Sequence, residues 1–313
     1  MRVYRGSAGI AEADRGCVLT IGNFDGVHLG HQALLAALLE RARIRRCPAV
    51  VYTFHPHPRQ VLAPERAQKL LMTFEQLAAE LERRGIDALI QEPFDRTFAS
   101  LTAEAFLRDV IHARIAPEAI FVGRDFHFGK GRAGGDQTLA RIGPDLGIRV
   151  TIIPQVSAGG RDVSSTRIRQ ALAEGRVDEA RLCLGRPYAI RGRVVEGERR
   201  GRTLGFPTAN LEVENEILPA NGVYATWLRR LGHPADGCVR RASVTNIGVR
   251  PTFEPGRVLC ETHLLDFDGD LYGERVELGF VSQLRGERRF PSPEALAEQI
   301  ARDASSARTL LDG

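Results

Sequence analysis

Two histidines, His28 and His31, enclose Gly30 in the segment GNFDGVHLGH, which begins at Gly22. When a nucleophile attacks the α-phosphorus of ATP, negative charge builds on the phosphate oxygens, and two imidazoles are able to donate hydrogen bonds to it. Gly30 lets the backbone approach a nucleotide closely, and we assign Gly22 and Phe24 to the same nucleotide site. The segment therefore indicates adenylyl transfer, with two surface histidines on a turn as the alternative.

Aromatic residues stand in two other segments of the first half. Phe54 and His57 belong to TFHPHP, whose prolines stiffen a loop. Phe126 and Phe128 alternate with polar residues in GRDFHFG. Rings placed in this way are able to lie against another aromatic ring. The alternatives are a rigid turn for the first segment and an apolar plug in the core for the second.

A run of hydroxyl groups precedes an arginine in the segment SSTRIR, which begins at Ser164. We expect a helix to start here. Its free backbone N–H groups and the side chains of Ser164, Ser165, Thr166 and Arg167 then form a cradle for phosphate groups. The alternative is a helix cap at Ser164, with Arg167 as a charge on the surface.

The second half carries a glycine- and arginine-rich segment, GERRGRTLGFPTAN, that matches neither a P-loop nor a Rossmann fingerprint. Gly201 and Arg202 are candidates to fold over a triphosphate. Thr208 and Asn210 are two residues apart, so in an extended chain their side chains point the same way. Their neutral oxygens suit Mg²⁺ that also binds phosphate oxygens and water. An ordinary turn is the alternative.

Glu261 lies in the segment LCETH, on a predicted strand that is otherwise flanked by apolar positions. Such a carboxylate is able to orient a substrate hydroxyl and to remove its proton during in-line phosphoryl transfer. The alternative is a glutamate on the outer surface of a strand. Together with Thr208 and Asn210, Glu261 indicates a kinase site that has no P-loop.

Strand and helix signals alternate through the first half and place these residues. Short apolar runs predict buried parallel strands, and helical patterns separate them. The predicted strands are Cys17–Ile21, Ala49–Phe54, Ile86–Ile90, Ala119–Gly123 and Ile148–Ile153. We therefore expect a Rossmann-like, doubly wound parallel α/β sheet. All the candidate segments of this half follow predicted strands, at the edge where such sheets bind ligands.

From Tyr188 onward the pattern changes to strands without helices between them. The predicted strands are Ala189–Glu196, Phe206–Leu211, Val223–Arg229, Ala242–Val249, Leu259–Phe267 and Arg275–Leu284. Six short strands separated by turn residues predict a small closed antiparallel β-barrel. A last helix follows, with Ser292 as its cap and Pro293 in its first turn. We set the domain boundary near residue 186, which gives domains of residues 1–186 and 187–313.

Composition excludes several classes of protein. The 313 residues are 43% hydrophobic and 26% charged, with no apolar stretch that suits a secretion signal or a membrane span. The five cysteines contain no C-x-x-C pair, so neither a disulfide framework nor a zinc site is indicated. The formal net charge of +4 suits anionic substrates such as nucleoside triphosphates. We expect a cytoplasmic protein with no membrane partner and no specific nucleic acid partner.

The residues described so far resemble the bacterial bifunctional riboflavin kinase/FAD synthetase family, from near residue 15 to residue 303. The matching motifs occur in the family's order: GNFDGVHLGH, TFHPHP, VGRDFHFG, SSTRIR, LGRPY, GRTLGFPTANL, LPANGVYA, TNIGVRPTF, ETHLLDF, LYGERVELGF and LRGERRF. GFPTAN together with NIGVRPTF is much more specific than H-x-G-H. The resemblance implies an FMN adenylyltransferase domain followed by a riboflavin kinase domain. ATP, riboflavin, FMN and FAD would be substrates and products, and Mg²⁺ would accompany ATP.

The resemblance also implies a role for each motif. His28 and His31 stabilise adenylyl transfer, and Ser165, Thr166 and Arg167 help to hold phosphates. Separately, we assign the aromatic residues Phe54, Phe126 and Phe128, with His57, to flavin binding. In the kinase domain, Thr208 and Asn210 stand at the MgATP site, and Glu261 is the catalytic base. One departure is His127, at a place where the family often has arginine, and the loop over residues 130–136 is about one residue longer than usual.

Two other functions stay open at this level. The first is a different H-x-G-H nucleotidylyltransferase, acting for example on a pantetheine or nicotinamide mononucleotide. The barrel motif PTAN counts against it, because such an enzyme has no need of a second phosphate site. The second is a flavin-, nucleotide- or nucleic-acid-binding module without catalysis. The intact histidine pair, Thr208, Asn210 and Glu261 count against that function.

Overall fold

The computed structural model describes residues 1–197, 201, 205–232, 239–249 and 258–311. The chain forms two compact units. The first comprises Met1–Lys69 and Phe74–Val163, and the second comprises Leu70–Thr73 and Ser164–Gly313. A parallel α/β sheet in the first unit and a closed barrel in the second confirm the fold class expected from the sequence.

The first unit is built on a parallel sheet of six strands. They are β1 (Arg2–Arg5), β2 (Val18–Ile21), β3 (Ala49–His55), β4 (Ala88–Pro93), β5 (Ala119–Gly123) and β6 (Arg149–Ile153). Their order in space is β1-β4-β3-β2-β5-β6. The order reverses between β2 and β5, and in open parallel sheets ligands bind beside such a reversal, at the carboxyl ends of the strands. GNFDGVHLGH follows β2 and GRDFHFG follows β5, so both motifs lie at this edge.

Apolar sequence explains why β2 and β3 are central. All four residues of β2 are buried, as are the first five residues of β3. Leu19, Val50 and Ile120 belong to one hydrophobic core that lies against the sheet. Fully burying an aliphatic side chain of this size stabilises the fold by about 1.5–3 kcal/mol. The four apolar runs assigned to β2, β3, β4 and β5 are thus confirmed as buried strands.

The edge strand β1 is not predicted from the sequence, because its side chains are mostly polar or exposed. It pairs with β4, where Arg2 lies opposite Ala88. Asp14 is fully buried and accepts hydrogen bonds from Arg2 Nε at 2.6 Å and from the Tyr4 hydroxyl at 2.5 Å. Burial acts to raise the pKa of Asp14, but these hydrogen bonds hold it below its ordinary value. An ionised buried carboxylate therefore fastens β1 to the unit.

Helices and short turns connect the strands of the first unit. The helices are α1 (Leu29–Arg45), α2 (Pro58–Leu62), α3 (Phe74–Arg83), α4 (Arg96–Ala99), α5 (Ala103–Ala105) and α6 (Asp136–Ile142). Single 3-10 turns span Ser7–Gly9, Glu12–Asp14, Pro64–Arg66, Lys130–Arg132 and Pro144–Leu146. Thr102 caps α5, which continues as a π-helical segment, Phe106–Ile115. A small hairpin, β7 (Ser157–Ala158) and β8 (Arg161–Asp162), follows β6.

The second unit contains two helices, a barrel and a final helix. The helices α7 (Ser165–Ala173) and α8 (Val177–Leu184) come first. The strands are β9 (Tyr188–Val195), β10 (Ala209–Val213), β11 (Gly222–Arg230), β12 (Arg241–Val249), β13 (Val258–Leu264) and β14 (Arg275–Arg285). They close in the order β10-β13-β12-β11-β14-β9, with antiparallel pairing throughout. The expected six-stranded barrel is confirmed, and α9 (Pro293–Leu311) is the expected last helix.

One barrel strand begins later than the sequence suggests. The strand expected over Phe206–Leu211 begins at Ala209. Gly205 has a φ of 84°, and Pro207 has no N–H to donate to a neighbouring strand. As a result Thr208 precedes the strand, whereas Asn210 is within it.

Four hydroxyl side chains form a buried cluster in the wall of the barrel. Thr226, Ser243, Thr245 and Thr262 are all 0% exposed. The Thr226 hydroxyl lies 2.8 Å from the hydroxyls of Ser243 and Thr245, and Thr245 donates to Thr262 at 2.9 Å. Because buried polar groups are tolerated only when hydrogen-bonded, these hydroxyls satisfy one another. We refer to them as the hydroxyl cluster.

The final helix α9 packs against the outside of the barrel. Ala304 and Ala307 of α9 share a hydrophobic core with Val223, Ala225 and Val244. No helix in the described ranges, α9 included, is long and apolar enough to cross a membrane.

The compact units divide at Val163, ahead of the boundary near residue 186 that the sequence suggests. The difference arises because α7 and α8 pack with the barrel. Helix α8 contacts β9 and β14, and the Ala220 N–H donates to the Leu172 carbonyl at 2.9 Å. Ile168, Leu172 and Val177 are fully buried in this arrangement.

Candidate functional sites

The loop after β2 holds two buried residues in a backbone conformation that side chains rarely adopt. Phe24 has a φ of 51° and Val27 a φ of 42°, and both are buried. A Cβ on Gly22 would lie only 3.2 Å from Phe24 Cε2, so glycine leaves room for the ring. Such backbone strain persists only where the surroundings hold it in place. The loop is therefore a rigid platform at the carboxyl end of β2.

His28 caps α1 on this platform. Its Nδ1 accepts a hydrogen bond from the backbone N–H of His31 at 3.4 Å. The two imidazole rings stack, with centroids 3.7 Å apart and planes 16° apart. A Cβ on Gly30 would lie 3.2 Å from the His28 ring, so glycine here keeps that stack undisturbed. The structure thus brings together Gly22, Phe24, His28, Gly30 and His31, at the positive end of a helix.

Burial determines the charge of His31. Its Nδ1 is buried and has no hydrogen-bond partner, and the Phe24 ring centroid lies 5.1 Å from its own. Burial, and secondarily the neighbouring His28, hold the pKa of His31 well below its usual range. The ring is therefore neutral at neutral pH. A neutral imidazole still carries one N–H that is able to donate to a phosphate oxygen.

A series of aromatic rings lies at the same end of the sheet. Phe54, Phe98, Phe106 and Phe128 follow one another at centroid separations of 6.2, 5.9 and 5.7 Å. Phe126 stacks on Phe128 at 5.3 Å. We call these five rings the aromatic array. Phe128 is buried in the core, as the plug alternative expects, whereas Phe54 and Phe126 are half-buried.

His57 has a local structural role in the fold. Its Nδ1 accepts a hydrogen bond from the Arg59 N–H at 3.2 Å, and its own N–H donates to Gln60 Oε1 at 3.1 Å, which caps α2. Sequence reasoning did not assign Phe98 and Phe106 to any site, although they connect Phe54 to the rest of the array.

The segment from His127 through the loop of residues 130–136 is held by hydrogen bonds to neighbouring residues. The His127 ring donates from Nδ1 to the Asp125 carbonyl at 2.8 Å. The Lys130 N–H donates to the Leu101 carbonyl at 2.7 Å. Gly129 has a φ of 73°, and a Cβ there would lie 2.6 Å from the backbone of Ala103. The loop over residues 130–136 therefore leaves Phe128 fixed at its base.

The SSTRIR segment belongs to the second compact unit. Ser164 caps α7, and its hydroxyl accepts a hydrogen bond from the Arg167 N–H at 3.2 Å. Arg167 is buried, contrary to the surface-charge alternative, and its Nε donates to Glu179 Oε1 at 2.9 Å. Ser165 is half-buried and Thr166 is exposed at the start of the helix. The capping hydroxyl of Ser164 and the guanidinium of Arg167 thus both lie at the start of α7. The Glu179 carboxylate of α8 holds the guanidinium in place.

A pocket of about 800 Å³ opens beside β9 and β10 of the barrel. Its wall includes both residues that the sequence assigned to a metal ion, Thr208 and Asn210. Gly197, Phe267 and Tyr272 also line it. Sequence reasoning missed these last two aromatic residues, although the acidic, glycine-rich run DFDGDLYG that contains them marks a turn beside a strand.

Asn210 fits a cation that is shared with phosphate. Its Oδ1 is buried and has no hydrogen-bond partner, and the side chain faces the pocket. Thr208, which is exposed, lies two residues before Asn210, just ahead of the start of β10. The described residues contain no group of three His, Cys, Asp or Glu side chains arranged to hold a metal. Two neutral oxygens with phosphate and water completing the shell are a donor set that Mg²⁺ accepts.

Glu261 lies directly opposite Asn210 across the β10–β13 pair. Its neighbours Cys260 and Thr262 are buried, whereas Glu261 is half-buried on the other face of β13. Burial raises the pKa of the Cys260 thiol to about 12, so that thiol is protonated at neutral pH. The expected carboxylate and the expected cation ligand are therefore adjacent.

Gly201 closes against the chain that leads into β10. Its carbonyl accepts from the Phe206 N–H at 2.8 Å, and a Cβ on Gly201 would collide with the Phe206 carbonyl. A Cβ on Gly201 would also lie 3.2 Å from Thr208 Oγ1, so Gly201 is close to Thr208. Arg202, assigned with Gly201 to cover a triphosphate, lies outside the described residues.

Two family models match the chain. The model of FAD synthetase matches residues 10–167, and the model of riboflavin kinase matches residues 184–311. The first covers the histidine pair and the aromatic array, and the second covers the barrel and α9.

Several curated proteins are similar over the whole length. A bifunctional riboflavin kinase/FMN adenylyltransferase of Escherichia coli (strain K12) is 42% identical over 310 residues, which cover 98% of this chain and 97% of that protein. The protein of the same description from Pseudomonas fluorescens is 41% identical, over 99% and 98% of the two chains. A crystal structure from Streptococcus pneumoniae, described as a macrolide-efflux protein, is 31% identical, with a TM-score of 0.88 over 98% of each chain.

Proposed function

The chain belongs to the family of bifunctional riboflavin kinase/FMN adenylyltransferases, and on that premise we propose how its residues carry out both reactions. ATP phosphorylates riboflavin to FMN in the barrel unit. A second ATP transfers its adenylyl group to FMN in the sheet unit, which forms FAD and pyrophosphate. The observation that carries the kinase assignment is Glu261 opposite Asn210 beside the pocket.

In the kinase reaction, Glu261 is the general base. It takes the proton of the terminal ribityl hydroxyl while that oxygen forms a bond to the γ-phosphorus of ATP. The bond between the γ-phosphorus and the bridging oxygen breaks, and ADP leaves. Proton removal by a positioned carboxylate typically accelerates such a step by about 10²–10⁴-fold.

The nucleotide occupies the pocket beside β9 and β10, where Gly201 and Arg202 cover its phosphates. Thr208 and Asn210 would hold Mg²⁺, which screens the charge of the phosphates when it is bound. The buried, partnerless Oδ1 of Asn210 supports this role. Asn210 also keeps the nucleotide next to Glu261, because the two residues are opposite each other in the sheet.

In the adenylyl transfer, a phosphate oxygen of FMN forms a bond to the α-phosphorus of ATP, and pyrophosphate leaves. His28 and His31 donate hydrogen bonds to the charge that develops on the transferring phosphate. Gly22, Phe24 and Gly30 shape the loop so that the nucleotide reaches both rings. Ser164, Ser165, Thr166 and Arg167 bind phosphate groups at the start of α7.

The flavin ring binds at the exposed members of the aromatic array. Phe54, Phe98 and Phe126 are half-buried and keep some exposed surface, and of these we assign Phe54 and Phe126 to the flavin. Phe128 supports Phe126 from the core by stacking on it. His57 borders this surface and shapes it through the cap of α2.

ATP is required in both steps, so we place the protein in the cytoplasm, where ATP is abundant. Its partners are riboflavin, FMN, FAD and ATP. We assign it no membrane partner and no specific nucleic acid partner. We keep residues 1–186 and 187–313 as the two functional parts, because the family models also change over between residues 167 and 184.

The direct test is to incubate the purified full-length protein with riboflavin and MgATP and to separate the flavins by chromatography. FMN should appear first and FAD should follow. Supplying FMN in place of riboflavin should yield FAD alone. A protein that forms no flavin product overturns the proposed function. Adenylylation of a pantetheine or nicotinamide mononucleotide substrate in its place would favour another nucleotidylyltransferase.

A further inference from the structure

Three polar side chains form one row across three strands of the barrel. Glu261 of β13 lies opposite Asn210 of β10 on one side and opposite Asn246 of β12 on the other. Residues directly opposite in antiparallel strands point to the same face of a sheet. Neighbouring strands are about 4.8 Å apart, so the two asparagines stand roughly 10 Å apart, with the carboxylate between them.

The row lies on the outer face of the barrel wall. The residues on either side of Asn246, Thr245 and Ile247, are fully buried, whereas Asn246 is half-buried. Two positions earlier on the same face, Val244 packs in the core formed with α9. Asn246 is therefore the first polar position beyond the part of this face that α9 covers.

Gly248, two residues after Asn246 on β12, has no room for a side chain. A Cβ on Gly248 would lie 3.7 Å from Asn246 Nδ2 and would collide with the carboxylate of Glu287. Glu287 is itself held by a hydrogen bond from Asn221 Nδ2 at 3.1 Å. Asn246 thus stands at the edge of a small polar recess formed by Gly248 and Glu287.

The two ends of the row differ in what they face. Asn210 lines the pocket assigned to the nucleotide, and the described lining of that pocket includes residues of β9 and β10 but none of β12. In an in-line transfer, the attacking oxygen and the leaving oxygen lie on opposite sides of the phosphorus. With the nucleotide on the β10 side of Glu261, the acceptor molecule approaches from the β12 side.

We propose that Asn246 binds the hydroxyl-bearing chain of the acceptor and helps to select it. This inference rests on the proposed kinase function and adds a residue to which that function assigned no role. A carboxamide both donates and accepts hydrogen bonds, which suits adjacent hydroxyl groups of a sugar alcohol chain. Asn246 would hold a hydroxyl next to the one that Glu261 deprotonates, so that the reacting oxygen is presented to the γ-phosphorus.

The first test compares riboflavin phosphorylation by the full-length protein, by Asn246→Ala and by the control Glu212→Ala. Glu212 is exposed on β10 and belongs to neither site. We expect Asn246→Ala to raise the KM for riboflavin about tenfold, equivalent to about 1.4 kcal/mol. The KM for ATP should change by less than about twofold, as should both constants of Glu212→Ala. Equal changes in both KM values of Asn246→Ala, or no change in either, overturn the proposal.

A second variant separates a role in the site from a role in folding. Asn246→Asp places a negative charge beside Glu261, which raises the pKa of the base. The acid limb of the pH profile of kcat/KM should therefore move to higher pH. The circular dichroism spectrum and urea midpoint of the same variant report whether the barrel unit is folded, because FAD formation takes place in the other unit. A normal spectrum and midpoint with an unmoved acid limb contradict the placement of Asn246.

The outcomes also distinguish this inference from the function on which it rests. If the wild-type protein forms no FMN, the kinase assignment itself is wrong. If the wild type forms FMN and both Asn246 variants match it in the KM for riboflavin and in pH profile, only the role of Asn246 is wrong.

Discussion

The imidazole rings of His28 and His31 are stacked 3.7 Å apart, and His28 Nδ1 accepts the backbone N–H of His31. One nitrogen of His28 is thus engaged in capping α1. His31 has its Nδ1 buried without a partner, in contact with the Phe24 ring. The pair combines a ring that orients the helix with a ring that burial keeps uncharged, and the predictions for this site depend on that difference.

Replacing His31 by alanine should slow adenylyl transfer. The variant loses one donor to the developing phosphate charge, a loss that typically reduces the rate by about 10²–10³-fold. With riboflavin and MgATP, FMN should accumulate while FAD falls, which chromatography of the flavins measures. Phosphorylation of riboflavin at the normal rate is the internal control. FAD formation at the wild-type rate would show that His31 has only a structural role.

Stability should depend on pH through His31. An unfolded histidine titrates near pH 6.5, but burial holds the pKa of His31 well below this value in the folded protein. Below about pH 6.5 the unfolded state therefore binds a proton that the folded state does not, and the free energy of unfolding falls as the pH falls. Denaturant unfolding of the wild type and His31→Asn at pH 7.5 and 5.5 measures this.

In that experiment, the loss of stability on going to the lower pH should be smaller for His31→Asn than for the wild type. His112→Asn is the matched control, because His112 is an exposed histidine outside the site. It should show the pH dependence of the wild type. If His31→Asn also retains that dependence in full, the burial of His31 does not control its protonation.

Glu261→Gln should remove the general base while keeping the size of the side chain. We expect riboflavin phosphorylation to fall by about 10²-fold or more, the usual magnitude for general-base catalysis. FAD formation from supplied FMN should continue, because that reaction uses His28 and His31 in the first unit. Initial rates with each flavin measure the two reactions separately. Near-normal kinase activity in this variant contradicts the assignment.

Asn210→Ala should weaken the use of Mg²⁺ in the kinase reaction. The buried Oδ1 of Asn210 is lost, so the Mg²⁺ concentration for half-maximal riboflavin phosphorylation should rise about tenfold or more. Titrating Mg²⁺ at saturating ATP measures the change, with Glu212→Ala on the same strand as the control. An unchanged Mg²⁺ dependence in Asn210→Ala would mean that Asn210 does not contact the ion.

A fragment of residues 164–313 should be more stable than one of residues 187–313. The shorter fragment lacks α7 and α8, whose side chains Ile168, Leu172 and Leu184 are buried in the second unit. Each side chain of this kind stabilises the fold by about 1.5–3 kcal/mol. Urea unfolding followed by circular dichroism measures the difference. Equal stability would show that the barrel does not need these helices, and riboflavin kinase assays of both fragments test whether the barrel suffices for catalysis.

Two strands that are consecutive in the chain, β1 and β2, show how far the sequence predicts this fold. The strand β2 is a run of apolar residues followed by a glycine-rich loop, so local signals alone predict both the strand and the position of His28. The strand β1 reads Arg-Val-Tyr-Arg and has no such signal. Its place depends on hydrogen bonds from Arg2 and Tyr4 to the buried Asp14, which come from side-chain packing and not from a local pattern.

At the kinase site, too, the sequence predicts which residues are candidates but not how they lie relative to one another. The spacing of Thr208 and Asn210 marked Asn210 as a candidate, and a strand position between apolar residues marked Glu261. Only the pairing of β10 with β13 shows that Asn210 and Glu261 are opposite each other. The ion pair of Arg167 with Glu179 joins two helices and depends on side-chain conformation. Spacing along the chain cannot reveal which carboxylate an arginine meets. For this reason the sequence predicted Arg167 as a phosphate ligand without predicting its anchor.

The hydroxyl cluster limits the paths by which this sequence can evolve. Replacing Thr245 by an apolar residue leaves the buried Thr262 hydroxyl without its partner in the cluster, which costs about 1–3 kcal/mol. The Thr226 and Ser243 hydroxyls also bond to each other's backbone carbonyls, so they keep a partner after any other single replacement. Replacing all four with apolar groups of similar shape can be nearly neutral. The order of exchange therefore matters, because Thr245 can be replaced without orphaning a hydroxyl only after Thr262 has been replaced. A threonine at position 262 should be inherited together with Thr245, while an exposed strand position such as Glu212 drifts freely.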